Sequence, residues 1–251
     1  MNNLKYSFDA IKIRDEIIEW LQNFKETSGL SKVVIGISGG KDSSIVAALC
    51  ARAFGKENVY GLLMPNGEQS DISDSHKLCE ALGINYKIKN IGPVYDAELA
   101  MLESDGNIIS VEAKINIAPR LRMTTLYAWG QANHCRVCGT GNLSEITLGY
   151  FTKYGDGGVD FNPIANLTSI EVVAIGDTLE ELPYELVHKA AADGLSGKSD
   201  EERLGLKYED VHKYIRNLGL EDKDIIEKIQ KMERLSMHKR KPIPKFSFPM
   251  H

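Results

Sequence analysis

The sequence predicts an α/β protein: a three-layer, doubly wound parallel sheet with helices on both faces and a helical C-terminal extension. Three observations carry this. A short apolar run, Val33 to Ile37, breaks into a glycine turn and then a helical pattern. Short apolar runs and helical patterns then alternate as far as Gly139, which right-handed crossovers turn into a parallel sheet. From Thr168 onward the pattern is helical and loop-rich.

The elements follow in order. Residues 9–26 repeat Ile11, Ile13, Ile17, Ile18 and Leu21 as an amphipathic helix. Val33, Val34, Ile35 and Ile37 form a run too short for a helix and read as the first strand. Ile45, Ala48, Leu49 and Ala53 return at helical spacing. Val59–Met64 reads as a second strand, ending in "LLMPNGEQSD". A helix over 70–82, a strand over Tyr86–Ile91 and a helix over 93–103 come next. Residues 110–132 form one long helix with Pro119 inside it, a position where a kink is expected. Cys135–Gly139 is a fourth strand, and 222–236 a late helix. The organisation reads as a single domain, 1–251, with its core at about 30–180 and a helical part at about 181–251.

The loop in "VVIGISGGKDSSIVAAL" decides the chemistry. A Walker A loop would place its first glycine at Ile35 and its Ser/Thr at Asp42, so it fails twice. The dinucleotide GxGxxG fails because Gly36, Gly39 and Gly40 are wrongly spaced. What remains is Ser-Gly-Gly-x-Asp-Ser at a helix N-terminus, where free N–H groups and the dipole favour an anion. Ser38, the glycine amides and Ser43 suit a pyrophosphate. Asp42 would repel it unless a cation lies between, and Mg²⁺ is commonly held by one or two carboxylates plus phosphate oxygens. The bland alternative makes Asp42 a helix N-cap.

The chain has 251 residues, 43% hydrophobic, with a formal net charge of −5. That balance opposes non-specific nucleic-acid binding, which draws on positive charge. No signal-peptide pattern and no apolar run of membrane length is present, so a cytoplasmic protein with no membrane partner is expected. Cys50 and Cys79 fall on apolar helix faces. Cys135 and Cys138 form a CxxC within a strand, where the two side chains would face opposite ways. Structural filling is the expectation for all four.

Residues 116–162 should choose the substrate. Arg120 and Arg122, two apart, do not share a helix face, so one is expected at the ligand and the other in a supporting role. Glu145, apolar-flanked and just past a strand end, is placed to complete a metal site with Asp42.

In order, the blocks "SGGKDS", "NIAPRLRM", "GTGNLSE", "FTKYGDGGVD" and "MHKRKP" run from about Val33 to Pro242. Together they resemble ammonia-dependent NAD synthetase, in the PP-loop ATP pyrophosphatase superfamily. The resemblance implies ATP-dependent amidation of deamido-NAD through an adenylate, giving NAD, AMP and pyrophosphate. It implies Mg²⁺ on Asp42 and Glu145. ATP would lie on Gly36, Ile37, Ser38, Gly39, Gly40, Lys41, Asp42 and Ser43, with Thr140. Arg120, Lys153, Asp160, His238 and Lys239 would hold deamido-NAD, with Asp42 and Asp160 nearest the chemistry. It also implies a homodimer with the dinucleotide site at the interface, and the helix at 110–132 is the expected contact through Leu121, Met123, Leu126 and Trp129. No glutaminase domain is recognised, so ammonia arrives free or from a separate glutaminase.

Two departures stand out. The family's ATP-contacting lysine after Leu-Thr is replaced by Ser169 and Ile170, and its Ser/Thr after Lys-Ala-Pro by Ala192. A hydrogen bond to a charged group contributes roughly 1.5–3 kcal/mol, so two losses weaken ATP binding unless other residues compensate. The alternative readings are a PP-loop tRNA-thiolating enzyme and a nucleotide-binding paralogue with weakened catalysis.

Overall fold

Four short strands, each followed by a helix-bearing connection, set the architecture. A computed structural model describes residues 6–29, 31–68, 72–189 and 199–246. β1 (Lys32–Gly36), β2 (Val59–Leu63), β3 (Asn85–Ile88) and β4 (Cys135–Cys138) form one parallel sheet in the order β3-β2-β1-β4. Val33 pairs with Val59 on one side of β1 and Arg136 on the other. The chain therefore winds outward from β1 to β3, then returns to place β4 on β1's free side. That reversal is the topological switch point, where open α/β sheets bind ligands beyond the strand C-termini.

Helices cover both faces. α1 (Ala10–Ser28), α2 (Lys41–Phe54), α3 (Ile72–Leu82), α7 (Ser169–Gly176) and α8 (Tyr184–Val187) enclose the larger core, which holds Ile35, Ile45, Leu49, Leu78, Ile175 and Leu186. α4 (Gly92–Glu103) and α5 (Val111–Ala132) lie on the other face, over Val34, Leu62 and Val137. The strands alternate inward residues between these two cores because successive side chains point to opposite faces. Cys135 accordingly lies in the α5 core and Cys138 in the α2 core, where its Sγ is 3.8 Å from Cys50 Sγ. All four cysteines are free and buried, as core filling requires. Burial pushes the Cys79 thiol up to about 12, far from a reactive thiolate.

The remaining described helices are α6 (Leu143–Leu148), α9 (Asp200–Leu204), α10 (Tyr208–Arg216) and α11 (Lys223–Arg240). α6, α10 and α11 share a smaller core of Leu148, Val211 and Ile229. Gly149 ends α6 at φ 68°, and a Cβ there would collide with Ser236 of α11, so glycine is required both by conformation and by the close approach.

Several boundaries correct the sequence reading. β3 stops at Ile88 rather than Ile91; Ile91 N–H still donates to Pro65 O, but Pro65 has no N–H to continue the ladder. α5 runs unbroken through Pro119. α11 extends to Arg240, four residues past the expected end at 236, so His238 and Lys239 sit within its last turn. On α5, the expected contact residues Leu121, Leu126 and Trp129 are partly buried against the second core, and Met123 lies against Gly158. Exposed apolar side chains on this side are Val94, Met101, Val111 and Ile115. Ala192 lies outside the described residues. No helix among the described residues is long and apolar enough to cross a membrane.

Candidate functional site

The loops that leave β1 and β4 flank the switch point, and each starts a helix there. Gly39 takes φ 74°, and a Cβ would press on Asp74 and the Ser75 backbone at 3.0–3.1 Å. Only glycine fits this turn. Ser38 Oγ lies 3.1 Å from Ser43 Oγ and accepts from Gly40 N–H at 3.2 Å. Ser43 Oγ and Ser44 Oγ both donate to Gly40 O, at 3.0 and 2.9 Å. These hydroxyls fix the loop, while no side chain caps the N-terminus of α2. Its first amides thus keep the anion-binding character of an uncapped helix start. Asp42 stands within that first turn rather than at the N-cap position, which Gly40 occupies.

The β4 loop supplies the facing side. Asn142 N-caps α6 by accepting from Glu145 N–H at 3.1 Å, and Glu145 Oε2 accepts from Asn142 N–H at 3.0 Å. This capping box commits one Glu145 oxygen to the backbone. Asn142 Nδ2 also donates to Asp42 Oδ1 at 3.3 Å, bridging the two loops across the crevice. Asp42 and Glu145, from different strand ends, are thereby brought into one electrostatic neighbourhood.

Lys41 completes it. Its side chain is buried, 7% exposed, and Nζ meets Asp42 Oδ2 at 2.6 Å. Burial alone would favour the neutral amine, but Asp42, Glu145 and Asp200 together hold Lys41 charged and its pKa above the ordinary value. Glu145 moves the other way: burial and then the Asp42 carboxylate raise it above the ordinary carboxylate range, against the pull of Lys41. Asp200 is likewise raised, mainly by burial. Lys41 Nζ lies 5.8 Å from the Tyr208 ring, a cation–π distance. The Tyr208 hydroxyl is buried near Asp200 and has no partner in hydrogen-bonding geometry among the described residues.

Two carboxylates plus phosphate oxygens suit Mg²⁺, so Asp42 and Glu145 fit that ion when a nucleotide is present. Among the described residues, no group of three or more His, Cys, Asp or Glu is arranged to hold a metal by itself.

The residues expected at the second substrate fall into two places. Arg120 is exposed and lines a recess of about 190 Å³ between α4 and α5, with Glu98, Leu102 and Ile117. Arg122 is turned inward, and its Nε donates to Met64 O at 3.0 Å. One arginine is thus exposed and the other structural. Lys153 Nζ donates to His238 O at 2.8 Å, and Lys239 Nζ donates to Gly149 O and Phe151 O at 2.7 and 2.6 Å. These bonds tie the glycine-rich 149–158 loop to the end of α11. Arg120 is close enough to Lys239 to depress its pKa, after burial. Asp160 lies beside the C-terminal half of β4. Its carboxylate accepts from Val137 N–H at 2.8 Å and from the Tyr127 hydroxyl at 3.2 Å. Thr140 lies two residues past the end of β4, in the loop that leads to α6.

Sequence reasoning did not single out Asn142, Asp200 or Tyr208. Asn142 carried a signal, since "NLSE" is a capping-box pattern. Asp200 and Tyr208 carried none, lying about 60 residues from the β4 loop and about 160 from the β1 loop that they approach in space.

Known proteins place this geometry in a family. The sequence profile of NAD synthase matches residues 13–246. An NH(3)-dependent NAD(+) synthetase from Methanococcoides burtonii is 42% identical over 212 residues, 83% of this chain and 80% of that protein. Among solved structures, an NMN synthetase from Francisella tularensis superposes with a TM-score of 0.89 at 32% identity, covering 96% of this chain and 100% of that one. An NH3-dependent NAD synthetase from Campylobacter jejuni gives 0.78 at 32% identity, with the same coverage. With the profile spanning nearly all of its length and a relative 42% identical over most of it, this chain belongs to the NAD synthase family.

Proposed function

We propose that this chain is an ammonia-dependent NAD synthetase, which amidates the nicotinate carboxylate of deamido-NAD at the expense of ATP. The observation that carries the reading is the bridge from Asp42 through Asn142 to Glu145, which closes the phosphate loop of β1 onto the loop after β4. The α2 N-terminus and the loop amides receive the ATP phosphates. The deamido-NAD carboxylate attacks the ATP α-phosphorus, and pyrophosphate leaves. Ammonia then attacks the acyl adenylate, AMP departs, and NAD remains. When bound to Asp42 and Glu145, Mg²⁺ supplies charge neutralisation on the phosphates. The protein's own contribution is positioning and preorganised dipoles rather than a covalent nucleophile. Arg120, with Lys153 and Lys239 around the 149–158 loop, provides the cationic surface for the dinucleotide, and His238 stands beside Lys153. Asp160 is ascribed to orienting the nicotinate end. The working form is a homodimer, and exposed Val94, Met101, Val111 and Ile115 offer apolar surface for a second copy.

A second reading has its own support. The TM-score of 0.89 to an NMN synthetase exceeds the 0.78 to a NAD synthetase at equal identity and coverage. It keeps the chemistry and changes the acceptor to nicotinate mononucleotide. Purified protein supplied with ATP, ammonium and either acceptor separates the two, with active-enzyme sedimentation in the same assay. The main reading expects a higher kcat/KM for deamido-NAD, with activity travelling as a dimer. A preference for the mononucleotide transfers the assignment to the second reading, and activity travelling as a monomer removes the dimer.

A further inference from the structure

Lys41 and Asp42 are neighbours in the first turn of α2, and adjacent helix residues do not ordinarily face one another. Here both side chains turn to the same point, and Nζ to Oδ2 is 2.6 Å. A buried lysine is costly unless paired, and among the described residues Asp42 Oδ2 accepts its hydrogen bond. Asp42 is also only slightly exposed, its side chain at 16%. Glu145 faces the pair from the β4 loop, Asp200 from α9, and the Tyr208 ring lies on the ammonium. The cluster thus gathers acidic groups around a single tethered cation, at the place where the two carboxylates would hold Mg²⁺.

We propose that Lys41 is a built-in counter-cation that occupies the Asp42–Glu145 position in the nucleotide-free protein and gives way to Mg²⁺ when ATP binds. This rests on the metal site proposed above. Lysine and metal compete for the same carboxylates. The resident ammonium neutralises them, so the empty site has little affinity for a divalent ion. The phosphates shift the balance, because they add oxygen ligands for the metal and an alternative anion for Lys41. Metal therefore enters with the nucleotide rather than before it.

The test is Mn²⁺ binding to the full chain, read by electron paramagnetic resonance of free Mn²⁺, with and without a non-hydrolysable ATP analogue. Wild-type protein should bind Mn²⁺ weakly alone and tightly with the analogue. Lys41→Met and Lys41→Gln should tighten nucleotide-free binding by about tenfold or more, the scale set by removing a unit charge within about 4 Å of the ion. Lys41→Gln keeps a donor for Asp42 and guards against a variant that fails to fold. Lys41→Arg retains the charge and should stay weak. Adding Asp42→Asn to Lys41→Met should erase the gain. If the neutral variants bind nucleotide-free Mn²⁺ no better than wild type while the analogue still recruits it, the role of Lys41 is overturned and the metal site stands. If no form binds Mn²⁺ under either condition, the metal site fails and the proposal fails with it.

Discussion

Asp42→Asn is expected to lower kcat by about 10³-fold on the proposal that Asp42 holds Mg²⁺ at the ATP phosphates, since such a ligand would contribute several kcal/mol of charge stabilisation. From the sequence alone, the same substitution would leave the fold untouched. The ion pair with Lys41 alters that expectation. Removing the carboxylate leaves a buried ammonium without its hydrogen-bonded partner. Breaking a fully buried pair costs about 3–5 kcal/mol, and the residual solvent contact of Asp42 reduces this to roughly 1–3 kcal/mol. Chemical denaturation reads the stability and steady-state kinetics the turnover. The double variant Lys41→Met with Asp42→Asn should recover much of the stability and none of the activity. Near-normal turnover in Asp42→Asn would remove Asp42 from the chemistry.

The largest effect on stability is expected at Glu171. This residue is 2% exposed and collects donors from three parts of the chain. Arg216 Nε and Nη2 reach its two oxygens at 2.7 and 2.6 Å, Thr168 N–H donates at 2.7 Å, and the Tyr6 hydroxyl at 2.7 Å. Burial would raise its pKa, but Arg216, the Thr168 amide and Tyr6 overcome this and hold it below the ordinary value of 4.5. Glu171→Gln leaves these donors facing a neutral amide, one end of which is itself a donor. Arg216 retains some contact with water, so the cost is about 2–3 kcal/mol rather than the figure for a fully buried pair. For a domain of this size that lowers Tm by about 5–10 °C. The pH dependence follows from the depressed pKa. The stabilisation is complete above the unfolded value near 4.5 and is lost as pH falls through the folded one. The gap between wild type and Glu171→Gln should therefore be full at neutral pH and close in acid. A gap that persists unchanged in acid would assign Glu171 a packing role only.

Much of the fold was legible because local pattern and global topology agree. The run Val33–Ile37 and the turn at Gly39 and Gly40 specify a strand, a tight loop and a helix, and the structure builds them in that order. The CxxC was readable for a related reason: an odd spacing on a strand sends Cys135 and Cys138 to different cores. The end of α11 was misjudged because apolar periodicity fades before "HKRK". Charge carries the helix onward instead. Arg240 Nη1 donates to Ile146 O and Thr147 O, and cations at a helix C-terminus oppose its dipole favourably. At the site, the sequence supplied Asp42 and Glu145, yet not what lies between them. Position 41 is the open position of the loop motif, so nothing in the spacing says that its side chain turns back onto Asp42. The approach of Asp200 and Tyr208 depends on how α9 and α10 pack, which local sequence does not encode.

The account stands or falls on adenylation of a nicotinate carboxylate followed by attack of ammonia. Deamido-NAD labelled with ¹⁸O in its carboxylate, incubated with the protein, ATP and ¹⁵N-ammonium, reports both steps in one mass spectrum. The predicted result is ¹⁵N in the amide of NAD, one ¹⁸O in AMP and none in pyrophosphate. Unlabelled AMP, or ¹⁸O in the pyrophosphate, would contradict it.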